Sequence, residues 1–272
     1  MTGGILTGIT IWESAILPKL LYNAECWFSI SKASLKKLEN VQLCFYRMLF
    51  SVGSGCPIPI LYWETGGVAM KFRILKKKLI FLHHVRTLPD DSLAKEIVEV
   101  QEKSNFPGLV KECQDFLSKA GINDVTSFSK QQWKVKVSKL VSQANEAELK
   151  EKMKSYKKLS SLNVSKESCS IKKYMKEMDL RGARIRFKLR SKMTPTVKTN
   201  FKNKKEFIQL KWTCEGCAQE SPNGEIVGNL DTQEHIQDCE AYKDLRTDKN
   251  LDNDKDLVSY FSAVIRRRMG LS

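Results

Sequence analysis

The sequence predicts a mainly α fold: a multi-helical bundle, a basic helical connector and a small C-terminal zinc-binding module. Three observations carry this expectation. Apolar residues recur at three- and four-residue intervals through the first 160 positions, no stretch there alternates as a strand would, and Gly or Pro separates the periodic segments. With 272 residues, 42% hydrophobic and 9% aromatic, the chain can bury a sizeable core.

Taken in order, the opening stretch GITIWESAILPKLLYNAECWFSI is apolar but broken by Glu13, Pro18, Lys19 and Glu25, so it does not span a membrane. The start, MTGG, lacks the basic region of a signal peptide. In SKASLKKLENVQLCFYRMLF, the positions Leu35, Leu38, Val41, Phe45, Met48 and Leu49 form one helical face, with Ser31 or Ser34 as cap and Gly53 as stop. Turn formers and two prolines follow in GSGCPIPILYWETGG. The next helix places Phe72, Leu75, Leu79, Leu82 and Val85 inward, Lys76–Lys78 toward water, and ends before Pro89. Pro107 and Gly121 bracket a third helix through Val110, Phe116 and Leu117. Ser129 caps a fourth, carrying Trp133, Val137, Leu140, Leu149, Met153 and Tyr156. These elements make a helical domain over 1–160.

The Ser-rich LSSLNVSKES reads as a loop opening a basic connector, 161–212. Of the net charge of +15, a surplus of eleven lies between Lys172 and Lys211, where fourteen Lys or Arg face only Glu177, Asp179 and Glu206. Such concentration points to nucleic acid, with Phe187, Phe201, Phe207 and Trp212 interleaved as stacking or packing groups; a merely solvated helix face is the plainer reading. LRGARIRFKLRSK fits a helix through Leu180, Ala183 and Phe187, and a strand through Ile185, Phe187 and Leu189; its length and the MTPT breaker favour helix. The cations expected at phosphates are Arg181, Arg184, Arg186, Lys188, Arg190, Lys192, Lys204 and Lys205. Eight such contacts would give a slope of log K against log salt of about −7 on a duplex.

The last part, 213–272, holds C-x2-C-x17-H-x3-C: Cys214, Cys217, His235 and Cys239. Two cysteines across a tight turn, eased by Gly216, reach one ion, and a His and Cys four apart share a helix face capped by Thr232 or Asp231. Four soft or borderline ligands with no vacancy for water suit structural Zn2+. A chance grouping and a disulfide are the competing readings, the second disfavoured in a reducing compartment. The other cysteines, Cys26, Cys44, Cys56, Cys113 and Cys169, read as core or incidental residues of an intracellular protein, nuclear or cytoplasmic. An acidic run through Asp256 then leads into a final helix with Leu257, Tyr260, Phe261, Val264 and Ile265.

No reaction centre stands out. Asp90 and Asp91 follow a helix and a proline and read as a cap for SLAKEIVEV rather than as polymerase carboxylates, and His83 and His84 have no activating neighbour. Catalytic residues: none are expected.

At the level of longer segments, AILPKLLYNAECW, LKKLENVQLCFYRMLFSVGSGCPIPILYWETG, GARIRFKLRSKMTP and CEGC…DTQEHIQDCEAYKDLR resemble, in this order, the region after the palm in reverse transcriptases of LINE-type non-LTR retrotransposons. The resemblance runs from about Ile11 to Arg268. It implies a helical thumb, a basic helix and a Cys-Cys-His-Cys element that binds RNA and/or DNA. The family's aromatic-x-Asp-Asp box and its endonuclease have no counterpart here, so the resemblance implies a C-terminal fragment without polymerase activity that normally abuts a palm domain. The alternative is a zinc-stapled helical module that binds protein. A non-functional relic of a mobile element is a third reading.

Overall fold

The computed structural model describes residues 4–27, 29–104, 108–122, 124–159, 162, 164–194, 213–214, 216–223, 226–247 and 249–269. The fold is mainly helical. Helix α1 (Ile5–Ile11) passes through one π-helical turn (Trp12–Ile16) into the short α2 (Leu17–Leu20). Trp12, Leu17, Leu21 and Ala24 pack on Met70 and Ile74, leaving Ile11, Ile16 and Tyr22 exposed.

Helix α3 (Lys32–Phe50) begins where the Ser31 hydroxyl accepts the Ser34 N–H at 3.0 Å, so Ser31 is the cap. Its end departs from the expected stop at Gly53. Ser51, at φ 51°, already takes the left-handed position, and Val52 N–H closes onto the Arg47 carbonyl at 3.0 Å. The two prolines read as turn formers instead start α4 (Ile58–Thr65), with Pro57 at its cap and Pro59 in its first turn, where a missing N–H leaves no helical bond unmade.

Helix α5 (Met70–Arg86) is buried on two sides. Phe72, Leu79, Leu82 and Val85 meet α6 (Leu93–Ser104), α7 (Leu109–Lys119) and the first half of α8 (Lys130–Lys154), while Met70 and Ile74 face the π-helical turn, α2 and Ala24 beyond it. This overturns the expected wet face of Lys76–Lys78 at Lys78, while Lys76 and Lys77 stay half-exposed. The Lys78 side chain is wholly buried, and its ammonium lies 2.6 Å from Glu112, which keeps contact with solvent. His83 is also inside, stacked on Trp133, with Nε2–H donating to the Phe128 carbonyl at 2.9 Å. Helix α8 has the expected Ser129 cap, completed by Gln132 as a reciprocal capping box. Gly121, at φ 68°, ends α7 as expected, and Pro107 lies outside the described residues. Asp90 does not cap α6 but pairs with Lys95; the Ser92 carbonyl accepts the first helical bonds.

The segment 162–171 is irregular yet tied down. Leu162, Val164, Cys169 and Ile171 pack on the core of α1, α3, α4 and the end of α8, and Ile171 forms a bridge to Thr65. It leads to α9 (Tyr174–Glu177) and α10 (Leu180–Arg190).

Helix α10 resolves the strand-or-helix ambiguity. Ala183 and Phe187 point into the core of the helical body, where Phe187 stacks on Phe50 with ring centroids 3.9 Å apart. Ile185 and Leu189, two residues out of phase and so on the opposite side, enter a second core nearer the carboxyl end. Two apolar pairs at i, i+4, offset by two, produce strand-like alternation from a helix with two buried faces.

Two carboxylates fasten its end. Arg190 Nε lies 3.0 Å from Glu64, whose side chain is wholly buried, and its Nη2 lies 2.6 Å from Glu167. Tyr174 donates to Glu64 at 2.9 Å, and Lys172 adds a 2.8 Å contact to Glu167. Burial pushes the Glu64 carboxyl up despite Arg190. Burial would raise Glu167 too, but hydrogen bonds from Arg190 and Lys172 hold it below the usual carboxylate range.

Two outcomes follow from this clamp. Arg190→Ala leaves a buried carboxylate unpaired and lowers stability by about 3–5 kcal/mol in urea titrations, most of it recovered when Glu64 is also made apolar. Because Glu167 has a depressed pKa when folded, its contribution is full above the unfolded value of about 4.3 and is lost as pH falls through the folded one. The Tm difference between the parent chain and Glu167→Gln is therefore full at neutral pH and closes in acid.

Candidate metal centre

The carboxyl-terminal part joins a two-residue antiparallel pair, β1 (Gln219–Glu220) and β2 (Ile226–Val227), to α11 (Gln233–Asp238), α12 (Lys243–Arg246) and α13 (Asp254–Arg268). Cys214 N–H bonds to the Asn229 carbonyl at 2.8 Å, and the Cys214 carbonyl accepts from both Cys217 and Ala218, which folds the first cysteine pair into a knuckle. Gly216 serves this turn by closeness rather than by left-handed backbone. A Cβ there would meet Ala241 at 2.8 Å and the Tyr242 ring at 3.1 Å. The second pair is set by Thr232, whose hydroxyl accepts the His235 N–H and starts α11.

Four side chains converge. The thiols of Cys214, Cys217 and Cys239 and a ring nitrogen of His235 all lie within 4.8 Å of one another. Cys214 and Cys239 sulfurs are 3.9 Å apart and Cys217 sulfur is 3.3 Å from His235 Nε2. A tetrahedral ion with bonds of about 2.3 Å to sulfur separates two sulfurs by about 3.8 Å, whereas a disulfide holds them at about 2.05 Å. The arrangement fits a metal ion and excludes the disulfide reading for these residues. Burial pushes the Cys214 thiol up to about 12, so capture of a cation there displaces a proton.

Sequence reasoning missed the shell behind these ligands. Arg268, at the end of α13, reaches Cys214 sulfur at 3.6 Å and Tyr242 hydroxyl at 2.9 Å, and it forms a two-pronged pair with the buried Asp231 at 2.7 and 3.0 Å. Asp231, weighed as a cap, is instead an arginine anchor. Arg246 donates to the carbonyls of Gln237 and Cys239 at 2.6 and 2.9 Å, closing the end of α11. The signal was the RRR at the chain's last helix, but its partner lies 37 residues away.

The expected phosphate contacts divide. Arg181 is exposed. Arg184 is turned inward to the Leu49 and Met48 carbonyls at the end of α3. Arg186 pairs with Asp254 at 2.5 Å, Arg190 with Glu64 and Glu167, and Lys192 with Glu234. Lys188 is half-buried, and burial and the neighbouring Arg184 lower its pKa. Lys204 and Lys205, with Phe201, Phe207 and Trp212, lie outside the described residues. Of the expected cations, Arg184, Arg186 and Arg190 on α10 and Lys192 just beyond it have partners within the molecule, because packing on both faces of the helix brings acidic and carbonyl groups to its flanks.

No family model, curated protein or solved structure matches the chain. No helix among the described residues is long and apolar enough to cross a membrane.

Arg268→Ala removes no ligand yet is expected to weaken metal binding by about 10- to 100-fold, read by competition with a chromophoric chelator.

Proposed function

We propose that the chain is a nucleic-acid-binding region of the kind that follows the palm in LINE-type non-LTR reverse transcriptases, with a structural zinc ion and no polymerase centre of its own. The observation that carries the reading is a juxtaposition: the basic helix α10 and the Cys-Cys-His-Cys cluster share one core, with Ile185 and Leu189 packed among Cys214, Ile236, Cys239 and Tyr260. Three thiols and one imidazole favour zinc over harder cations. The ion's role is to staple the module, since all four positions come from protein. The missing catalytic centre is supported by Asp90, which sits on an exposed turn paired with Lys95. Cysteines without disulfides suit an intracellular setting, nuclear or cytoplasmic.

The protein-interaction reading draws on one specific observation. Arg186, Arg190 and Lys192 are paired within the molecule, which subtracts from the cationic surface. It predicts weak association with RNA and DNA that is insensitive to salt.

The purified chain is expected to carry one zinc per polypeptide by elemental analysis. It should bind labelled RNA and DNA with a salt slope of about −3 on single strands, the value for about four phosphates. A flat salt dependence, with no loss of binding after chelation, would favour the protein-interaction module.

A further inference from the structure

A groove of about 880 Å³ runs between α10 and α13, and none of the four candidate ligands lines it. Its α13 wall carries Lys255, Ser259, Ser262 and Arg266, spaced i, i+4, i+7 and i+11, which is one stripe of a helix. Arg181 faces them from α10. Arg181, Lys255 and Arg266 are exposed, and among the described residues none of their side chains has an ion-pair partner. The two acids on the rim are engaged: Glu177 pairs with Lys173 at 3.5 Å, and Asp179 accepts the Gly182 N–H at 2.9 Å as the α10 cap. The floor is apolar, from Ile185, Val258 and Ala263.

We infer that this groove binds one phosphodiester strand, with Arg181, Lys255 and Arg266 on phosphates and Ser259 and Ser262 as neutral donors between them. The inference rests on the nucleic-acid reading and gives it a location. Eleven residues of helix separate Lys255 from Arg266, about 16 Å at 1.5 Å per residue, a span that reaches more than one phosphate of an extended strand. The apolar floor accepts ribose and base faces without reading them, so the binding is sequence-tolerant. A furrow between two packed helices, whose axes stand about 8–10 Å apart, is narrower than a whole duplex, so a single strand can enter it where a duplex meets only its rim.

The stripe was hidden in the sequence because α13 reads as an apolar helix followed by RRR. Its four polar members are separated by the buried Leu257, Val258, Tyr260, Phe261 and Val264. Arg267 is not counted, since it pairs with Asp244.

The test uses the whole chain loaded with zinc and fluorescence anisotropy on short oligo(dT), oligo(rU) and a duplex. Arg181→Ala, Lys255→Ala and Arg266→Ala combined should weaken single-strand binding by on the order of tenfold or more and flatten the salt slope by about 2. The corresponding lysine variants, Arg181→Lys with Arg266→Lys, should keep the slope. A control with Lys134→Ala, Lys136→Ala and Lys139→Ala, exposed on α8, should change little. If the parent binds with salt dependence and the groove variant matches it, the groove assignment falls while the nucleic-acid reading stands. If the parent binds neither strand nor duplex, both fall. Tighter binding to duplex than to single strands, or displacement by polyglutamate at equal charge as readily as by oligonucleotide, also overturns the assignment.

Discussion

Helix α10 is held from opposite sides by two separate cores, and the rest of the molecule is arranged around that double burial. Phe187 lies flat on Phe50 on one side while Ile185 and Leu189 close over the cysteine cluster on the other. A helix with two apolar faces has only two narrow flanks for its polar residues. One flank, Arg186 and Arg190, meets Asp254, Glu64 and Glu167. The other, Arg181, Arg184 and Lys188, sends Arg184 to the carbonyl end of α3, where a cation is favoured by the helix dipole, and leaves Arg181 in water. The basic character of this helix is therefore partly mortar between packed elements and partly surface.

The same packing explains why the metal cluster sits where it does. Its ligands come from a knuckle and a six-residue helix, neither long enough to be stable alone. Tyr260 donates to the Ile236 carbonyl, and Arg268 ties Cys214, Tyr242 and Asp231 together, so α13 acts as the lid and back wall of the site. With a divalent ion bound, three thiolates would leave one net negative charge, against which the Arg268 guanidinium, aligned by Asp231, would lie. Gly182 leaves room for the α10 cap, since a Cβ there would lie 2.8 Å from the Asp179 carboxylate.

Much of this was legible because it is local. The Ser31 and Ser129 caps, the long α8 and the two ligand pairs all rest on residues three or four apart. What escaped sequence reading depends on partners distant along the chain. Lys78 looks solvated until Glu112 arrives from α7, and Arg190 looks free until Glu64 arrives from 126 residues upstream. The alternation in LRGARIRFKLR misleads for a related reason: it encodes two neighbours, and periodicity assumes one. Ser51 shows a third kind of failure, since it takes the left-handed position, closed by the Val52 N–H on the Arg47 carbonyl, where local preference would choose glycine.

Arg268 follows the last ligand, Cys239, by 29 residues. Without α13, the four ligands would rest on a knuckle and one short helix open to solvent. With α13 packed behind the ligands, an ion held there would leave only when that helix lifts, so metal exchange and local opening of α13 would be one event.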